Sequence, residues 1–374
     1  MSRMVCRSCG GEFPLEERVW RCSCGGLLDL EFEADFPLEK IRLRKPTMWR
    51  YREAIPISHD SNIISFLEGY TPLLEVDLED RTVLFKEDHL LPTGSFKDRG
   101  ASVLISKARE LRVGRVVEDS SGNAGCSIAA YSARAGIGCK IFVPWNVSPI
   151  KLIQMRSYGA EIVRVPGSRE DAAAAALGAA EKEYYASHSR NPFFLHGVKT
   201  FAFEVCEQLG WRAPDSVVLP VGNGTLLLGA YIGFKELLEA GVIHETPRIV
   251  GVQSSNCAPL YEAFKRGSVG IPDIEAGATI AEGVAVAKPP RGGQILEAVK
   301  ASEGKLIAVG EAEIWESLRE ISRKGLCIEP TSAAAIAGLK RYLGEADPKE
   351  VIVSTFTGHG LKAADKMLEI IDGD

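Results

Sequence analysis

Leu91-Pro92-Thr93-Gly94-Ser95-Phe96-Lys97-Asp98-Arg99-Gly100 carries a lysine out of a Pro/Gly turn into a run of apolar and small residues that reads as a helix. Lysine is ordinarily a solvated surface charge. Here Gly94 permits a tight turn and Ser95 stands where it can cap the helix, so the direction of the amine is fixed. Taken alone, the segment supports two readings: a capped helix with a solvated first-turn lysine, or an amine held as a nucleophile.

Outward from this turn, short apolar runs recur at Val113–Val117, Cys139–Val143, Ile162–Val165, Val217–Val221, Arg248–Val252 and Val351–Thr355. Helical patterns lie between them, at 121–135, 150–158, 169–186, 225–239 and 311–324. Strands alternating with helices predict an α/β fold of parallel sheets flanked by helices. A chain of 374 residues exceeds one ordinary core, so two domains with a small appendage are expected. Residues 1–30 form a cysteine-rich, ribbon-like segment and 31–68 a linker or arm. The core spans 69–374, entered through the Gly69-Tyr70-Thr71-Pro72 turn.

Forty-four basic against 50 acidic residues give a net charge of −6, which disfavours nucleic acid or an anionic membrane as partner and leaves a small molecule. The apolar run Leu226–Phe234 is too short to span a bilayer and contains Gly229 and Gly233. The N-terminal MSRMVCRSCGGEF lacks the apolar stretch of a secretory signal, so the expected compartment is the cytoplasm and the thiols are expected to be free.

Two glycine loops each follow an apolar run and open a helical pattern. Ser120-Ser121-Gly122-Asn123-Ala124-Gly125 offers hydroxyls, an amide and backbone N–H groups to an anion or carboxylate. Val221-Gly222-Asn223-Gly224-Thr225 lets its backbone approach phosphate oxygens at the positive end of a helix. Neither loop has Walker or dinucleotide-fingerprint spacing, which argues against a nucleotide fold.

Cys6-x2-Cys9 and Cys22-x1-Cys24, each beside turn glycines, make a set of four thiolates suited to tetrahedral structural zinc. The second pair is one residue shorter than an ordinary knuckle. Unmetallated thiols are the alternative.

In that chain order, the lysine turn, the asparagine loop and the second glycine loop resemble the fold-type II pyridoxal-phosphate enzymes, whose fold is that of the tryptophan synthase β chain. LPTGSFKDRG, SSGNAG, IEPTSAAAIAGL (328–339) and TFTGHGLK (355–362) are most similar to the threonine synthases, some of which carry a comparable cysteine segment. The resemblance implies pyridoxal phosphate bound covalently to Lys97, which then serves as the base. It implies Asn123 on the cofactor's ring hydroxyl, and Gly222, Asn223, Gly224 and Thr225 around its phosphate. It places Ser121, Gly122 and Ala124 on the substrate carboxylate and the Thr357 hydroxyl against the ring nitrogen. It also implies a homodimer, a smaller mobile subdomain at about 100–200 inserted in the larger one, and O-phospho-L-homoserine and water as substrates. Lys151, Arg156 and Lys199 are candidates for the substrate's phosphate, with Lys86 and His188 behind them.

The match departs at His188-Ser189, Phe194, His196 and Val198, where threonine synthases carry other residues, and Ala281-Glu282-Gly283-Val284-Ala285 is closer to the dehydratases. Serine or threonine deamination, or β-replacement on an O-phosphoserine-type substrate, are therefore the competing reactions. A non-catalytic zinc-ribbon binding protein is the competing reading from another class.

Overall fold

The computed structural model describes residues 2–268 and 270–372. The chain up to Gly69 clusters with Lys97–Val198 as one compact unit, and Tyr70–Phe96 clusters with Lys199 onward as the other.

Runs such as Val217-Val218-Leu219 and Ile249-Val250 are buried throughout, as strands covered on both faces must be. In the second unit they build a six-stranded sheet in the order Lys305–Val309, Arg248–Ser254, Ser216–Pro220, Ile352–Thr355, Arg81–Lys86, Leu73–Leu78. The first five strands are parallel, with Val217 opposite Ile249 and Val353 opposite Leu84. The sixth is not: Leu73–Leu78 runs antiparallel to Arg81–Lys86 across a two-residue turn in which Glu79 takes a φ of 51°. The sheet is thus mixed rather than wholly parallel. Two adjacent strands in sequence need only a hairpin, whereas a parallel partner needs a crossover. At this edge Val76 and Leu78 point into the core while Glu75 and Asp77 face solvent.

The helix Pro330–Leu343 covers this sheet, with proline in its first turn and a buried face rich in alanine. Small residues let it lie close: a Cβ at Gly338 would come within 2.4 Å of Val252 Cγ2.

In the first unit a four-stranded parallel sheet runs Glu161–Val165, Gly138–Pro144, Arg115–Glu118, Tyr184–Tyr185. The helix expected over 169–186 stops at Ala179. Ser168 and Asp171 cap its start reciprocally, but Tyr184 and Tyr185 leave the helical pattern to pair with Val116 and Val117. The alanine run at 172–176 stays helical, and sheet pairing wins only at 184–185.

The helices Lys97–Glu110 and Pro192–Val198 approach closely because each places a glycine at the contact. A Cβ at Gly100 would fall 2.4 Å from Phe194 Cε1, and one at Gly197 would fall 2.1 Å from the Arg99 carbonyl oxygen. The N-terminal segment forms a three-stranded antiparallel sheet, Glu12–Pro14, Arg3–Cys6, Leu28–Glu31. It is tied to the same unit by Trp20, edge-on to Tyr185 at 5.0 Å, and by Arg18 Nε, which donates to the Leu111 carbonyl at 2.7 Å. Among the described residues no helix is long and apolar enough to cross a membrane.

Candidate active site

Lys97 is the first residue of the Lys97–Glu110 helix, directly after a turn in which Gly94 takes a φ of 80°. The preceding residues are locked to the 355–359 turn: Phe96 N–H donates to the Thr357 carbonyl at 2.9 Å, and His359 N–H donates to the Gly94 carbonyl at 2.9 Å. Ser95 bridges to Gly358 in this short ladder and does not cap the helix. Its hydroxyl is buried and, among the described residues, bonds to no protein atom, a costly state that a bound polar group relieves. Asp98 is also buried and accepts from Ser127 Oγ at 2.6 Å, which pins the first turn to the Asn123–Ala135 helix.

Within the first unit, Lys97 Nζ lies 5.7 Å from the centre of the Phe194 ring. The His188 ring meets Phe194 edge-on at 6.1 Å, and His188 Nδ1 is 2.6 Å from Glu118 Oε1. Glu118 ends the Arg115–Glu118 strand and His188 follows the neighbouring Tyr184–Tyr185 strand, so parallel pairing brings them to the same sheet edge. Burial pushes the Glu118 carboxyl well above the usual carboxylate range; Asp119 adds to the rise and Lys97 opposes it. Burial likewise holds His188 well below the usual imidazole value, with Lys97 and Arg169 adding to the effect.

The loop after that strand leads into the Asn123–Ala135 helix, whose N-cap is Gly122 and which no side chain caps. A Cβ built on Gly122 meets nothing within 4 Å, so the backbone here faces open space. At Gly125 a Cβ would lie 2.0 Å from the Ser120 carbonyl oxygen, which accounts for the second glycine. Ser121 and Asn123 are half-buried beside it and Ala124 is buried.

In the second unit the Gly222-Asn223-Gly224-Thr225 loop follows the Ser216–Pro220 strand and opens the Thr225–Glu239 helix, again without a side-chain cap. Gly224 takes a φ of 74°, and a Cβ there would fall 2.1 Å from Ile295 Cδ1. At Gly222 it would fall 2.3 Å from the Gly283 carbonyl oxygen, so the 281–285 segment packs directly against this loop. The adjacent Ile352–Thr355 strand leads to Thr357. Both positions therefore lie at the carboxyl ends of neighbouring parallel strands, where open α/β sheets bind ligands.

Thr357 is fully buried and its hydroxyl donates to Glu329 Oε1 at 2.7 Å. Its N–H donates to Ser332 Oγ at 2.8 Å, and the two hydroxyls are 2.9 Å apart. With the Thr357 proton on Glu329, Ser332 is the donor in that last pair and Thr357 Oγ1 is left as an acceptor. In the sequence Glu329 reads as shaping the site from a helix start and Ser332 as either a supporting hydroxyl or a cap; here both contact Thr357.

The candidate phosphate cations have different surroundings. Lys199 is completely buried, with Nζ 2.7 Å from Glu236 Oε1. Arg156 is exposed on the Pro149–Ser157 helix. The Lys151 side chain lies outside the described residues. Lys86 is buried against Glu204 at 2.8 Å and the Thr71 carbonyl at 2.5 Å.

The four N-terminal thiols converge. Cys6 Sγ is 3.5 Å from Cys24 Sγ, Cys9 Sγ is 3.6 Å from Cys22 Sγ, and all four sulfurs lie within 4.8 Å of one another. Tetrahedral zinc with bonds of about 2.3 Å sets sulfurs about 3.8 Å apart, close to these edges. Gly10 and Gly25, with φ of 73° and 86°, turn the two knuckles. The backbone N–H groups of Ser8 and Gly26 point at Cys6 and Cys24 Sγ, each at 3.4 Å.

Residues 64–358 match the family described as pyridoxal-phosphate dependent enzyme. The chain is 40% identical over 375 positions to a threonine synthase of Methanocaldococcus jannaschii, covering 96% of this chain and 93% of that one. It is 32% identical over 386 positions to a threonine synthase of Methanosarcina acetivorans, covering 100% and 95%. The processed form of threonine deaminase isoform 2 from Solanum lycopersicum has a similar fold, with a TM-score of 0.71, 24% identity and coverage of 88% and 91%.

Proposed function

The chain belongs to the pyridoxal-phosphate dependent enzyme family, and on that premise we propose that it is a lyase converting O-phospho-L-homoserine and water to L-threonine and phosphate. The observation that carries the reaction is identity to curated threonine synthases along almost the whole chain. The residues also fit the cofactor. Gly222 and Gly224 stand where any side chain would fill the loop, Gly122 opens on free space, and the buried Ser95 hydroxyl lacks a protein partner among the described residues.

When bound, pyridoxal phosphate supplies an aldehyde that captures an amine and a ring that accepts the electrons left as an adjoining carbon loses its proton. Lys97 Nζ would hold the cofactor, and as a free amine it would take up and return protons at the substrate's Cα, Cβ and Cγ as phosphate leaves Cγ and water adds at Cβ. The Gly222–Thr225 backbone holds the cofactor phosphate at its helix N-terminus. Asn123 would orient the ring through its hydroxyl, and the Thr357 hydroxyl, which donates to Glu329 in this structure, would face the ring nitrogen. Ser121, Gly122 and Ala124 hold the substrate carboxylate. Lys151 and Arg156 are retained as candidates for the substrate phosphate, whereas the burial of Lys199 on Glu236 favours a structural task.

The same proposal includes structural zinc on Cys6, Cys9, Cys22 and Cys24, supported by the convergence of their sulfurs. A cytoplasmic homodimer and a mobile subdomain at about 100–200 come with the resemblance.

Incubating cofactor-loaded protein with O-phosphohomoserine tests the reaction: phosphate and threonine appear in equal amounts. Ketoacid and ammonia from threonine or serine, with no phosphate release, would instead establish a deaminase on this fold.

A further inference from the structure

The Glu118–His188 pair, whose histidine was a candidate for the substrate's phosphate, stands out by its place. It is buried, it lies at the carboxyl edge of the first unit's sheet, and it shares the Phe194 ring with Lys97. Helix packing at Gly100 and Gly197 fixes that ring, so the neighbourhood is set by backbone contact rather than by flexible side chains. One oxygen of Glu118 takes His188 Nδ1, and the other is buried and, among the described residues, bonds to no protein group. Burial disfavours the ionised form of that carboxylate, and the positive charge of Lys97 acts in the opposite direction.

We propose that Glu118 and His188 are positioning residues that store a proton for Lys97. The transfer balances. Lys97 as an ammonium gives one proton, through a water, to His188 Nε2; His188 passes its Nδ1 proton to Glu118 Oε1, and the imidazole changes tautomer. The ammonium and carboxylate become a neutral amine and a neutral acid, with the net charge unchanged. The reverse transfer restores the ammonium when Nζ is next needed as an acid. A reaction that moves protons at several carbons with one amine gains from a second holder beside it.

Several groups face the pair. Asp119 follows Glu118 in the chain and its Oδ1 accepts from Tyr185 Oη at 2.7 Å. Lys97 and Arg169 contribute positive charge from the Lys97–Glu110 and Arg169–Ala179 helices, and Phe194 contributes an apolar wall. Burial presses Glu118 towards its acid form and His188 towards neutrality, the two states the transfer ends in.

This inference rests on Lys97 being the cofactor lysine, and its test separates the two claims. In holoenzyme carrying Glu118→Gln, the near-visible band should titrate with a midpoint about one pH unit lower, a tenfold change, because the charge that favours the protonated lysine link is gone. The kcat should fall by about 100-fold while KM stays within about threefold. His188→Gln should show the same kcat loss, and Glu118→Asp should recover part of it. Should those variants misfold, histidine 15N signals of the full chain remain available. Replacing Lys97 by Met should switch the His188 ring between nitrogen-bound proton forms. An unmoved midpoint with a parental pH profile, or identical His188 signals with and without Lys97, would overturn the pair's role. Absence of any near-visible band in the parent protein would instead refute Lys97 as cofactor lysine, and the nitrogen signals would still decide whether it shares a proton with the pair.

Discussion

Replacing Gly224 by alanine puts a methyl group where the fold has no room for one. The position has a φ of 74°, which costs an L-residue roughly 1–2 kcal/mol. The new Cβ would sit 2.1 Å from Ile295 Cδ1, on a side chain that is itself fully buried. Relieving that overlap requires repacking a filled interior, at about 1–3 kcal/mol. The sum is about 2–5 kcal/mol, and at a urea slope of about 3 kcal/mol per molar it lowers the unfolding midpoint by roughly 1 M. Because the same residue shapes the loop proposed for the cofactor phosphate, affinity for pyridoxal phosphate should fall as well, by about tenfold for each 1.4 kcal/mol lost there. Urea titration followed by far-UV ellipticity and cofactor titration followed by absorbance read the two effects. Gly293→Ala is the control: its Cβ meets nothing within 4 Å, and it should leave both measurements near parental values. A Gly224→Ala protein with the parental midpoint and parental cofactor affinity would refute the packing argument and the loop assignment together.

Lys199→Met should cost about 3–5 kcal/mol by stranding Glu236 in the interior, and a Lys199→Met, Glu236→Leu double variant should recover most of it. If Lys199 instead bound the substrate's phosphate, KM would rise without loss of stability, and the double variant would give no rescue. His89 is held at about 4 against an ordinary 6.5 by burial, with His359 adding to the shift. The unfolded chain therefore takes up a proton first as pH falls, so stability should be lost between about pH 6.5 and 4 and level off below. Urea midpoints across that range should show the loss, and His89→Asn should flatten it. Metal analysis of the purified protein should find one zinc per chain, absent after Cys22→Ser, together with a lower thermal midpoint.

The alternation of apolar strands and helical runs was legible, as were the lysine turn and both glycine loops, because each depends on neighbours within a few residues. What depended on distant partners was not. Tyr184 and Tyr185 read as the end of a helix until the strand holding Val116 and Val117 recruits them. The Leu73–Leu78 hairpin lacks a glycine signal, since Glu79 adopts the positive φ itself. Ser95 reads as a cap, yet a bridge to Gly358 turns its hydroxyl inward instead. Glu118 carried no sequence signal of its own, because its contact with His188 joins positions 70 residues apart.

Lys97 is the residue proposed to carry the cofactor. Borohydride treatment of the cofactor-loaded protein makes that bond permanent, and digestion followed by mass spectrometry locates it. The prediction is a pyridoxyl group on the peptide containing Leu91 to Arg99, at Lys97. The same group on another lysine, such as Lys86, Lys199 or Lys362, or on none, would contradict it.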